Sequence, residues 1–130
     1  MEDKRVKNIV LNFSTALLNK TQSEIHSIIW YGSTAKGRGN EDSDIDIAII
    51  ARNESDELWQ IANSVAAKYS LEYDCLISIL VISKERFERM KKNGRLLATN
   101  ISSEGKVLWQ KEVHNSKSSL SATILSPGFP

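Results

Sequence analysis

Across 130 residues the chain has one cysteine, no apolar run long enough to span a membrane and almost no net charge. Each shortage removes a class of function. Cys75 has no intramolecular partner, so there is no disulfide framework, and in the apolar context "YDCLIS" it reads as a small buried hydrophobe. A membrane-crossing helix needs roughly 20 consecutive apolar residues, and none occurs. No N-terminal secretion signal with an apolar core is present, so a reducing cytoplasm is the expected compartment. The 17 basic and 16 acidic side chains leave a formal charge of +1, which gives no argument for a nucleic-acid or membrane surface. The length fits one domain, and any activity must come from that single core or from a partner.

Hydrophobic periodicity supplies the elements. Val6, Ile9, Val10, Phe13 and Leu17 share one helical face, predicting a helix from Asp3 to Asn19. "HSIIWYG" is β-branched, aromatic and closed by Gly32, so it is expected as a buried strand. "SDIDIAIIA" alternates Ile45, Ile47 and Ile49 with other residues and is a second strand. Asn53 is expected to cap a helix carrying Leu58, Ile61, Ala62, Val65, Ala66 and Tyr69. "CLISILVIS", apolar on both sides, is expected as a central third strand. Ser83 starts a short helix, Gly94 interrupts it, a second helical piece covers Leu96 to Ile101, and "GKVLWQ" adds an edge strand. The order predicts an α/β sandwich with a small mixed sheet over residues 1–113. Residues 114–130, serine-rich and without periodicity, are expected as a flexible tail.

The chemistry lies in "WYGSTAKGRGNEDSDIDIAII", from Trp30 to Ile50. Alternation puts Asp44 and Asp46 on one face of a strand, with Cα atoms about 6–7 Å apart, opposite the isoleucines. Two such carboxylates repel each other and resist burial unless a cation compensates them, and a hard, oxygen-seeking ion such as Mg²⁺ meets that need. Gly32 lets the backbone approach a ligand closely, and Ser33 with the following amides can donate to a phosphate. Lys36 and Arg38 follow in the loop and can neutralise phosphate charge, while Gly37 and Gly39 permit unusual backbone angles. Taken singly, Gly-Ser is an ordinary turn and Asp-x-Asp an ordinary strand end. Together they describe a site for phosphoryl or nucleotidyl transfer.

Gly32-Ser33, the ten residues Thr34 to Ser43, and then Asp44-Ile45-Asp46 resemble the signature of the nucleotidyltransferase superfamily typified by DNA polymerase β. The local form is similar to its minimal nucleotidyltransferases, the MNT proteins. A looser likeness runs from Lys4 to Trp109 and closes in "NISSEGKVLW". The resemblance implies the polymerase β-like palm fold and Mg²⁺-dependent transfer of a nucleoside monophosphate, expected to be AMP from ATP, to an acceptor hydroxyl. It implies Asp44 and Asp46 as ligands of two Mg²⁺ ions and Gly32 and Ser33 as holders of the β- and γ-phosphates. It also implies a third acid on the later strand. That position falls near Ser78, which is no substitute for a carboxylate, so Asp74, of the same strand parity, is the candidate third ligand and catalytic acid. His26 and His114 are poor substitutes.

Proteins of this kind pair with helical HEPN proteins in toxin–antitoxin systems, some AMPylating a tyrosine of the toxin, and the resemblance implies such a partner here. A non-catalytic module that neutralises a partner by surface contact is the alternative, motivated by Ser78. Modification of a small molecule and nucleic-acid polymerisation rank lower, because no second domain or basic stripe is present to hold an acceptor or template. Oligomeric state is left open. Trp30 and Tyr31 read as core aromatics rather than a base-stacking platform, Trp59 as a margin residue, and the "KERFERMKKNGR" charges as a solvated helix face.

Overall fold

A computed structural model describes residues 4–40 and 42–112 and the backbone of Ala122–Thr123. The first helix, α1, runs Lys4–Thr21 and buries Val6, Ile9, Val10, Phe13 and Leu17, the predicted stripe. A 3₁₀ turn at Gln22–Glu24 leads into β1, Ile25–Tyr31, and after a loop β2 spans Ile45–Ala51. Helix α2 is Asp56–Tyr73, β3 Ile77–Ser83, α3 Lys84–Lys92, α4 Leu96–Glu104, β4 Lys106–Lys111 and β5 Ala122–Thr123.

The sheet is mixed, in the order β3-β2-β1-β4-β5. β1 is antiparallel to β2 and β4, whereas β3 is parallel to β2, the crossover that α2 makes possible. Helices cover both faces. The odd-numbered Ile45, Ile47 and Ile49 of β2 join α1 and α2 in the larger core cluster, while Ala48 and Ile50 join Phe87 of α3 and Ala98 and Ile101 of α4 in the smaller. That second cluster explains why the alternation of β2 gives way to a continuous apolar run: beyond Asp46 its other face is covered too.

Three local expectations change. The cap of α2 is Ser55, not Asn53. Ser55 has extended backbone, its hydroxyl accepts from Leu58 N at 3.0 Å, and Asn53 lies two residues too early for that bond. β3 starts at Ile77 and lies at the sheet edge, not the centre. Its apolar character on both sides comes from helices packed over each face, not from two neighbouring strands. Its outer ends are tied down by side chains: Ile77 N donates to Ser70 Oγ at 3.0 Å and Ser83 N to Glu54 Oε2 at 3.2 Å. β4 pairs with β1 along its length and with β5 through Gln110 and Lys111, so it is flanked on both sides at that end. Apart from Ala122–Thr123 the expected tail, with His114, lies outside the described residues.

Candidate active site

The register of β1, β2 and β3 assembles the site. Asp46 is paired with Tyr31 of β1 on one side and with Ser78 of β3 on the other. Its parity with Ala48 and Ile50 turns it to the α3/α4 face, and there it stays half-buried, while Asp44, just before the strand, is exposed. The Asp46 carboxyl is pushed above its ordinary range, first by burial and then by the neighbouring Asp44 carboxylate. The Tyr31 hydroxyl rises for two similar reasons, burial and then Asp46. Two carboxylates, one half-buried at the start of β2 and one exposed just before it, thus form an oxygen donor pair of the kind that suits a hard divalent ion.

Burial of this charge has a measurable consequence. The folded chain holds the Asp46 proton more tightly than the unfolded chain, so ionising Asp46 costs stability at neutral pH, and that cost fades as the pH falls towards the free acid's 3.8. Asp46→Asn is expected to raise the Tm of the metal-free protein at pH 7, by an increment that shrinks as the pH is lowered. Thermal unfolding across that range checks it.

Gly32 sets the turn that follows β1 against Asp46. Its φ is +84°, and a Cβ there would overlap Asp46 Oδ2 and stand 3.2 Å from Asp46 Cγ. Only glycine permits both the left-handed backbone and the close approach of the turn to the carboxylate. From Ser33 to Gly37 the chain makes a tight turn rather than a regular helix. Lys36 N donates to Ser33 O at 3.1 Å, Gly37 N to Thr34 O at 3.2 Å and Arg38 N to Ser33 O at 2.9 Å. These bonds begin at Lys36, so among the described residues the amides of Ser33, Thr34 and Ala35 have no backbone acceptor, like the first amides of a helix. Trp30, a core residue with 1% exposure, fixes the turn by donating its indole N–H to Thr34 Oγ1 at 2.9 Å. Asn40 closes the spacer. Its amide donates to Ser43 Oγ at 2.9 Å, and its Oδ1 accepts from Asp42 N at 2.8 Å, returning the chain to Asp44.

Of the basic residues, Arg38 is exposed, and the Lys36 ammonium meets Glu104 Oε1 at 2.8 Å. Glu104, at the end of α4, and Tyr31 are the site residues that sequence reasoning missed. The signal for Glu104 was the acid in "SSEGKVLW"; Tyr31 needed the strand register. The parity argument for Asp74 fails, because β3 begins three residues later and Asp74 is the left-handed C-cap of α2, at φ 51°. Among the described residues no group of three or more His, Cys, Asp or Glu is placed to hold a metal ion, so Asp44 and Asp46 stand as a pair. Ser78, the residue in register with Asp46, is exposed.

The remaining candidates lie apart. His26 is on β1 near its far end, with its pKa lowered by burial and then by Lys84, and the Cys75 thiol is raised by burial, which makes it a poor nucleophile. Trp59 is 55% exposed on α2 and borders a cavity of about 430 Å³ with Glu54, Ser55, Asp56 and Val81. No helix among the described residues is long and apolar enough to cross a membrane.

Comparison with known proteins gives a consistent result. Residues 15–114 match the polymerase β nucleotidyltransferase family profile. Two Methanocaldococcus jannaschii proteins named as protein adenylyltransferases are similar: one is 33% identical over 108 residues, covering 83% of this chain and 98% of the relative, and the other 32% over 80 residues, covering 61% and 77%. Among solved structures, a toxin–antitoxin with AMP-PNP aligns at TM-score 0.52 and 24% identity, covering 77% of this chain and 73% of that one. A doubly substituted mutant of the toxin–antitoxin MntA-HpeT aligns at 0.53 and 23%, with the same coverages. At these identities the structural likeness speaks for the fold.

Proposed function

The chain belongs to the polymerase β nucleotidyltransferase family, and from that premise we propose that it transfers AMP from ATP to a hydroxyl of a partner protein. The observation that carries this reading is the close approach of Gly32 to Asp46, which sets the Gly-Ser turn directly against that carboxylate. The relatives named as protein adenylyltransferases support a protein acceptor. The resemblance of the Gly32-Ser33 and Asp44-Ile45-Asp46 segment to MNT proteins extends the proposal to a toxin as that acceptor, with a tyrosine of a HEPN-type helical partner as the modified group.

In this reading Ser33 Oγ and the amides of Ser33, Thr34 and Ala35 donate to the β- and γ-phosphate oxygens, and Lys36 and Arg38 offset their charge. Asp44 and Asp46, oxygen donors of the kind Mg²⁺ prefers, hold the cation. A Mg²⁺ ion held by these carboxylates would supply neutralisation of triphosphate charge and electrostatic stabilisation of the transition state. The acceptor oxygen bonds to the α-phosphorus, the α–β bridging bond breaks, pyrophosphate departs and the hydroxyl proton passes to solvent. Asp74, at the end of α2, has no part in this scheme.

Incubation with α-labelled ATP, Mg²⁺ and a HEPN protein encoded beside this one tests the reading. Label should appear on the partner with the wild type and not with the Asp44→Asn, Asp46→Asn double variant. Label from both would overturn it.

Ser78 favours a second reading, a module that neutralises its partner by contact with little chemistry, because it stands beside Asp46 where the family's third acid is expected. A missing general base costs about 10²–10⁴-fold. Ser78→Asp is therefore expected to raise kcat by at least about tenfold, as a partial recovery of that loss. A variant with unchanged kcat and full metal binding would show that the third acid does not limit this chain.

A further inference from the structure

We propose that Glu104 is a positioning residue for Lys36, fixing that ammonium over the phosphate-binding turn and so setting the affinity for the triphosphate. This inference rests on the nucleotidyltransferase reading above.

The geometry starts at the C-terminus of α4. Ala98 and Ile101 bury this helix against the sheet, and Gly105 closes it, donating its amide to Ile101 O at 3.1 Å. A side chain at Gly105 would overlap Ile101 O and Ile29 Cγ2 of β1, so the end of α4 lies as close to β1 as a backbone can. β1 is the strand that runs into Gly32. The backbone of Glu104 is thus held in a fixed relation to the start of the phosphate turn, and its Oε1 meets Lys36 Nζ at 2.8 Å.

Both partners are partly exposed, 34% for Lys36 and 44% for Glu104. A pair this wet contributes little to stability. What it does accomplish is to hold a long, rotamer-rich side chain in one direction, and so reduce the ordering that nucleotide binding would otherwise require. The sign of the effect is diagnostic. Glu104 places a negative charge against Lys36, so electrostatics alone would make its removal tighten triphosphate binding. Positioning makes removal weaken it.

The test is a binding cycle by calorimetry with a non-hydrolysable ATP analogue and Mg²⁺, using the full chain. Glu104→Ala is expected to raise the Kd about five- to tenfold, and the corresponding activity assay to show the change in KM rather than in kcat. Glu104→Gln, which keeps an oxygen for Lys36, should recover most of the affinity. In a Lys36→Ala background Glu104→Ala should have no further effect. Unchanged or tighter binding by Glu104→Ala, or a loss that persists without Lys36, overturns the inference while leaving the enzymatic reading intact. Failure of the wild type to bind the analogue overturns both.

Discussion

Asp46→Asn is expected to lower AMP transfer by on the order of 10³-fold or more while the protein remains folded. Asparagine keeps the size of the side chain and loses the charge, so the cation is held by Asp44 alone. A divalent ion at such a site supplies several kcal/mol of transition-state stabilisation, and each 1.36 kcal/mol is about tenfold in rate. The variant must also be at least as stable as the wild type without metal, because it removes a half-buried carboxylate that burial and Asp44 both disfavour. Loss of activity with retained or increased Tm is the signature of a group kept for function at a cost in stability. Inactivity accompanied by unfolding would instead mark Asp46 as structural. Initial rates of label transfer, measured beside thermal unfolding, separate the two.

Gly32→Ala carries the second large effect. Alanine at φ +84° adopts a left-handed backbone that costs about 1–2 kcal/mol, and its methyl group overlaps Asp46 Oδ2. The turn must move away from the carboxylate, or the carboxylate must rotate out of place. Either displacement separates the phosphate donors from the cation donors, and a misplacement of this order costs about 10²-fold. Tm should fall by several degrees, since each kcal/mol shifts a domain of this size by roughly 3–6 °C. Gly94→Ala is the control. That residue also has positive φ, at +72°, but a Cβ there meets nothing within 4 Å, so it should lose stability without losing activity.

The juxtaposition of the Gly32 turn and Asp46 was legible in the sequence because it is local. Gly32, Ser33, Asp44 and Asp46 belong to one strand–loop–strand unit, and the period-2 alternation of β2 fixes which way Asp46 points. What depended on long-range pairing was not legible. "CLISILVIS" reads as a central strand because its composition records helices on both faces, and composition does not distinguish a covered edge strand from an interior one. Asp74 was assigned to that strand by parity. The left-handed cap of α2 breaks the parity count, and aspartate tolerates that backbone well enough for the sequence to give no warning. Glu104 could be seen only as part of a closing motif, since its partner Lys36 is 68 residues away in the chain.

The register also gives the third-acid question a definite place. Ser78 and Asp46 are neighbours across a parallel ladder, and Tyr31 flanks Asp46 on the other side. A carboxylate introduced at Ser78 would enter on the face that carries Asp46, which is why that single substitution separates a slow enzyme from a binding module.

Asp44, Asp46 and the Gly32–Ser33 turn, taken as one Mg²⁺-dependent nucleotide site, are tested most directly by binding. A non-hydrolysable ATP analogue is titrated calorimetrically into the wild type and into the Asp44→Asn, Asp46→Asn double variant, each with and without Mg²⁺. Binding by the wild type should depend on Mg²⁺ and be lost in the double variant. Equal affinity in both proteins, or binding indifferent to Mg²⁺, would contradict a single shared site.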